Sequence, residues 1–180
     1  AAVEPAALTP ADEAKLLQLA HTTLTYVLEK REMPTSEKLG IEITPGMKQV
    51  FGAFVTLHEN GELRGCIGEI IPSRPVYQAV MAQAVNAGLN DHRFPQVEPS
   101  ELDQIDVEIS VLTPARRVAS ASEIAIGTHG IVLRKAGHTA LFLPQVATEQ
   151  GWDLETTLTH LSRKAGLADD AWREGTSFDV

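Results

Sequence analysis

Asn60-Gly61 lies between two β-prone runs, residues 50–58 and 63–71. No other short-range signal in the chain restricts folding as much. A type I′ turn needs positive φ at both central residues, which Asn-Gly tolerates, and its twist matches that of two antiparallel strands. With Asn60 and Gly61 as the two loop residues, Val55 faces Cys66, Leu57 faces Arg64 and Ala53 faces Gly68. Arg64 and Cys66 then share one face of the hairpin, and Leu63, Gly65 and Ile67 share the other. A bulge at Gly65 or Gly68 would flip part of this register.

The remaining elements follow from capping and periodicity. Thr9-Pro10-Ala11-Asp12 has the form of a helix start, with Thr9 as N-cap, and Leu17, Ala20, Leu24, Val27 and Leu28 carry the helix to about Lys30. Residues 1–8 read as a loose tail and 31–48 as a long loop. Ser73-Arg74-Pro75 opens a second helix, with Val76, Ala79, Val80, Ala84 and Ala87 as its apolar stripe and Gly88 as its terminator. Residues 104–112 alternate strictly: Ile105, Val107, Ile109 and Val111 point one way, and Asp106, Glu108 and Ser110 the other. Residues 130–135 and 138–143 flank Ala136-Gly137 as a further hairpin. Residues 153–165 read as a helix with Leu154, Leu158 and Leu161 inward, and 175–180 open a last strand. Hairpins with helices between them predict an α+β fold, mainly antiparallel sheet with flanking helices. At 180 residues, one domain over 9–180 with a larger and a smaller lobe is expected.

Charge and cysteine content narrow the function classes. Fifteen Lys and Arg against 24 Asp and Glu leave a net charge of −9, which speaks against a general polyanion-binding surface. Arg116, Arg117, Arg134 and Lys135 make 114–140 locally basic, but no aromatic residue lies there to stack on bases, so this stretch reads as a solvated sheet edge. A single cysteine excludes an internal disulfide and a zinc site of four thiolates. The histidines form no His-x-His or His-x3-His pair, so neither a metal site nor a cofactor is indicated. No apolar run approaches the ~20 residues of a membrane span. The start, Ala-Ala-Val-Glu-Pro, is not a signal peptide as it stands, and the expected compartment is the cytoplasm.

Cys66, within Leu63-Arg64-Gly65-Cys66-Ile67-Gly68, is the candidate nucleophile. A neighbouring cation lowers a thiol pKa, and Arg64 could supply that charge as thiolate or anion partner. Gly65 and Gly68 permit close approach of a ligand or of another backbone. The alternative is a small buried hydrophobe in a two-sided strand. Glu108 could serve acid/base work or partner an arginine, and Asp106 reads as part of a solvated face. His92, in the polar loop Asp91-His92-Arg93-Phe94-Pro95, could act as a base for Cys66.

The hexapeptide resembles the hallmark of the AMMECR family, whose bacterial and archaeal members go by the name AmmeMemoRadiSam system protein A. The resemblance continues through 91–95, Glu101-Leu102, the strand 107–114, Gly130-Ile131, Leu143-Pro144-Gln145-Val146-Ala147, Trp152 and Lys164-Ala165-Gly166-Leu167, covering roughly residues 12–175. It implies an α+β protein with two lobes around one sheet, and association with a Memo-like protein and a radical-SAM protein. It implies no settled reaction. Glu69 departs from the small or hydroxylated residue common after the hexapeptide, and Ser162 stands where a second cysteine is often found. The expected function is a small-molecule enzyme or enzyme component. Cys66 and Glu108 would be catalytic, with Arg64, Gly65, Gly68, Asp91, Arg93 and Gln145 at the substrate. The alternatives are a non-catalytic binding or scaffold module of the same system and an RNA-associated factor, whose affinity would fall steeply with salt.

Overall fold

The first helix, α1 (Pro10–Lys30), begins where its capping residues place it. The Thr9 hydroxyl accepts from the Asp12 amide at 3.2 Å, and the Asp12 carboxylate accepts from the Thr9 amide at 2.9 Å. Asp12 is buried and also accepts from the Thr44 hydroxyl, which ties the helix start to the loop beyond it. The computed structural model describes residues 8–180, so the tail read over 1–8 lies, Leu8 apart, outside the described residues.

Strands β1 (Gly52–Glu59) and β2 (Glu62–Glu69) form the hairpin, with φ of 51° at Asn60 and 83° at Gly61. Helix α2 (Val76–Leu89) follows, and then β3 (Ile105–Leu112), which pairs with the other side of β1 to give the antiparallel order β2-β1-β3. Ala53, Val55 and Leu57, with Ile67, Val107, Ile109 and Val111, pack against Leu16, Leu19, Leu24, Val76, Val80 and Ala84 of the two helices. Both helices therefore lie on one face of this sheet.

The hairpin register departs from the sequence expectation beyond the turn. His58 faces Leu63, as a two-residue loop requires, but Leu57 faces Gly65, and Arg64 is the extra residue of a bulge. Thr56, not Val55, faces Cys66, and Phe54 faces Gly68. The cause lies in α2. A Cβ at position 65 would overlap the carbonyl oxygen of Ala87, so the helix backbone rests on β2 only where glycine stands. The bulge brings that glycine to the helix-packed face and turns Arg64 aside. Gly88 is likewise not a terminator. It is buried inside α2, where a Cβ would stand 2.7 Å from Leu24 Cδ1, and the helix runs on to Leu89.

Strands β4 (Arg117–Val118), β5 (Ile131–Lys135), β6 (His138–Phe142) and β7 (Ser177–Asp179) make a second antiparallel sheet in the order β4-β7-β5-β6. Helices α3 (Pro144–Gln150) and α4 (Leu154–Lys164) accompany it, α4 being capped by Asp153. Leu158, Leu161, Ile131, Leu133 and Phe178 form its core. Arg117 and Arg134 both bind Asp179, so part of the basic stretch serves this sheet. The chain divides into two compact units, Ala1–Pro114 and Ala115–Val180. The class is α+β as expected, but the strands form two sheets, not the single one that the resemblance implies. Among the described residues no helix is long and apolar enough to cross a membrane.

Among the described residues, two buried hydroxyls have no hydrogen-bond partner, Thr23 in α1 and Ser162 in α4, and both residues are 0% exposed. An unsatisfied buried hydroxyl costs stability. Thr23→Val and Ser162→Ala are each expected to raise the unfolding free energy by about 1 kcal/mol. Urea denaturation checks this, and a fall in stability for both variants would contradict it.

Candidate functional site

The shifted register sets Cys66, Thr56 and Glu108 in one row across β2, β1 and β3. Alternation places this row on the face away from α1 and α2. Gly68, Phe54 and Ser110 form the next row, and Leu63, His58 and Asp106 the row on the other side. Cys66 is half-buried, Thr56 is 8% exposed and Glu108 is exposed. The Thr56 hydroxyl donates to the Cys66 sulfur at 3.1 Å.

β2 is an edge strand, and Cys66 turns its amide and carbonyl away from β1. The amide donates to Asp91 Oδ2 at 2.9 Å, and the carbonyl accepts from Arg93 Nη2 at 3.2 Å. Arg93 holds Asp91 in turn, through Nε to Oδ1 at 2.9 Å and Nη2 to Oδ2 at 2.7 Å. For one residue, an ion pair takes the place of a neighbouring strand, which also blunts the edge against foreign strands. The same geometry makes Thr56 and Cys66 a non-hydrogen-bonded pair, the arrangement in which side chains come closest. The bond from Arg93 holds the buried Asp91 carboxyl far below the usual carboxylate range, outweighing burial, which pushes it up, and the Cys66 and Arg93 amides add to the lowering. The same pairing with Asp91 raises Arg93.

Arg64 is engaged elsewhere. Its Nε and Nη2 bind the two oxygens of Glu101 at 2.7 and 3.2 Å, Nη1 binds the Pro95 carbonyl at 2.8 Å, and Nη2 reaches the Gln96 carbonyl at 3.3 Å. These bonds tie the bulge to the segment after α2 and hold the Glu101 carboxyl low. They give Arg64 a structural task in place of the expected one beside the thiol. The arginine bound at Cys66 is Arg93, 27 residues away in sequence, and it grips main chain.

The close approaches expected at the two glycines are made by the protein itself: Ala87 backbone at Gly65 and the Phe54 ring at Gly68. Glu69 is pushed up by burial, but bonds from Arg74 and Gln83 outweigh it and leave the carboxyl below its usual value. His92 is exposed, and among the described residues no hydrogen bond joins it to Cys66. Gln145 belongs to the second unit, in the first turn of α3. Thr56 is the residue that sequence reasoning missed. Its signal was the cross-strand pairing, which is legible only once the bulge is known. Among the described residues, no group of three or more His, Cys, Asp or Glu side chains is arranged to hold a metal ion.

The row can present a hydrogen-bonded thiol and a carboxylate on one sheet face, with the main chain of the thiol residue clamped from the side. Known proteins resemble this chain over most of its length. The profile of the AMMECR1 family matches residues 17–180. A protein of Methanosarcina barkeri is 37% identical over 173 residues, spanning 93% of this chain and 86% of its own. One of Thermococcus kodakarensis is 39% identical over 168 residues, spanning 87% and 80%. The crystal structure of a protein from Pyrococcus horikoshii superposes with a TM-score of 0.84 at 33% identity, covering 91% of this chain and 85% of that one.

Proposed function

The chain belongs to the AMMECR1 family, and on that footing we propose that it acts on a small molecule, as an enzyme or as a component of one, through the thiol on the face of its first sheet turned away from α1 and α2. Cys66 is the reactive group. Thr56 fixes the sulfur and offers a donor to the thiolate as it forms. Glu108, one strand further along the row, gives or takes a proton. Asp91 and Arg93 are positioning residues that hold the main chain of Cys66. The observation that carries this reading is the 3.1 Å bond from the Thr56 hydroxyl to the sulfur. A buried inert cysteine needs no such donor.

The test is alkylation of the folded protein by iodoacetamide. The chain has one cysteine, so mass spectrometry reads the outcome directly. The expected result is complete modification at Cys66, slowed about tenfold in Thr56→Val, the worth of one hydrogen bond to a charged group. Modification only in denaturant would end the nucleophile reading.

A second reading is a non-catalytic module that docks the Memo-like and radical-SAM partners implied by the resemblance. It is favoured by Gly65 and Gly68, which the fold packs against Ala87 and Phe54, and by Arg64, which binds Glu101 and the Pro95 carbonyl. Cys66→Ser separates the two. It abolishes function with folding and partner binding intact under the first reading, and is nearly silent under the second.

A further inference from the structure

The two edges of the first sheet are treated differently. At β2 the outward amide and carbonyl of Cys66 are occupied by Asp91 and Arg93. At β3, eight residues long, no described strand pairs with the outer edge. Register shows which groups face out there. Because Cys66 turns its main chain away from β1, Thr56 turns its own toward β3, and Glu108 turns back to meet it. The amides and carbonyls of Val107 and Ile109 therefore point outward. The side chains of these two residues and of Val111 line a cavity of about 440 Å³ with Leu8, Leu16 and Leu17, and Glu13 and Glu108 also border it. Leu17 is 41% exposed, large for a leucine on the side of α1 that adjoins a sheet.

A row of donors and acceptors that no described strand occupies, beside an apolar groove, is what an added strand requires. The main chain supplies affinity, and the groove takes alternate side chains. Charge selects the occupant. The opposite face of β3 carries the exposed Asp106 and Glu108, on a chain of net charge −9. A second copy pairing antiparallel through β3 would set these carboxylates near their own counterparts, which is unfavourable. A basic strand meets Asp106, and the chain's net charge, favourably.

We propose that the outer edge of β3 accepts a strand from a partner protein, an extended segment with alternating apolar and basic residues. Its apolar side chains sit in the groove against Leu16, Leu17 and Ile109, and its basic side chains lie beside Asp106. This site is separate from the thiol, and its test does not touch Cys66.

The probe is a fluorescein-labelled peptide alternating valine and lysine, matched to the eight residues of β3. Binding to the whole chain is read by fluorescence anisotropy. The controls are a valine–glutamate peptide and the valine–lysine peptide with proline at alternate valines, the residues whose amides meet Val107 and Ile109 when the peptide pairs antiparallel. The expected result is binding of the valine–lysine peptide alone. It weakens by at least about tenfold in Leu17→Asp and in Asp106→Lys, both surface changes whose folding is checked by circular dichroism. Hydrogen exchange at the Val107 and Ile109 amides slows when the peptide binds. The proposal is overturned if the peptide does not bind, if the proline control binds equally, or if binding leaves those amides exchanging as before. It is also overturned if Val107 and Ile109 are already protected in the free protein, by a second copy or by the chain's own first residues.

Discussion

Gly65→Ala is expected to cost about 3 kcal/mol of stability, at the upper end for an overpacked site. The added methyl would overlap the Ala87 carbonyl oxygen and stand 3.0 Å from its carbon. Both are helix backbone, so no rotamer change relieves the clash, and α2 must lift from β2 as a body. Gly88→Ala is the internal comparison. There the methyl meets the far end of the Leu24 side chain, which can turn away, and the cost is expected to be clearly smaller. Urea denaturation should be followed by circular dichroism, since both tryptophans, Trp152 and Trp172, belong to the second unit. A Gly65→Ala protein as stable as the parent would remove the packing account and return this glycine to the role of making room for a ligand.

Asp91→Ala is the second large effect. It removes the acceptor of the Cys66 amide and the partner of Arg93 together. Charge-assisted bonds to a buried carboxylate are worth more than neutral ones, but Arg93 is 58% exposed and water replaces part of what it loses. The expected loss is about 2 kcal/mol. The pH dependence has a definite sign. The folded pKa of Asp91 is depressed, so its contribution is fully present above the unfolded value of about 3.9 and is lost as pH falls below that value toward the folded one. Asp91→Asn lacks this loss. The stability curves of parent and variant should lie apart at neutral pH and converge in acid, with no change in their separation between about pH 5 and 8. Glu101 and Asp179, both lowered by arginine partners, supply acid sensitivity that the variant retains. Parallel curves down to pH 2 would show that the Asp91–Arg93 pair contributes no linkage.

Local chemistry made much of the fold legible. The Thr9 cap, the Asn60-Gly61 and Ala136-Gly137 turns and the alternation over 105–112 are each set by a few neighbouring residues, and each stands where the sequence puts it. Features set by contacts distant in sequence were not legible. The bulge at Arg64 depends on Ala87, the close packing of Gly88 within α2 is against Leu24, and the clamp on Cys66 comes from a loop 27 residues away. The two-residue β4 and the seven-residue α3 are too short to carry a periodic pattern. The same limit explains the site. Cys66 and Glu108 were named from their strands, whereas Thr56 joins them through a register that no local motif records.

The bulge has a further effect, on how the chain length of the hairpin can vary. Arg64 is the one residue of β2 without a partner across β1. Deleting it joins Leu63 to Gly65 and restores a regular ladder, with Gly65 still opposite Leu57 and Cys66 still opposite Thr56. A residue inserted between Gly65 and Cys66 would instead carry the thiol to the helix side and bring its neighbour out. Position 64 is thus a slack link, where one residue can be lost without moving the thiol to the other face, while a single insertion just beyond Gly65 reverses it.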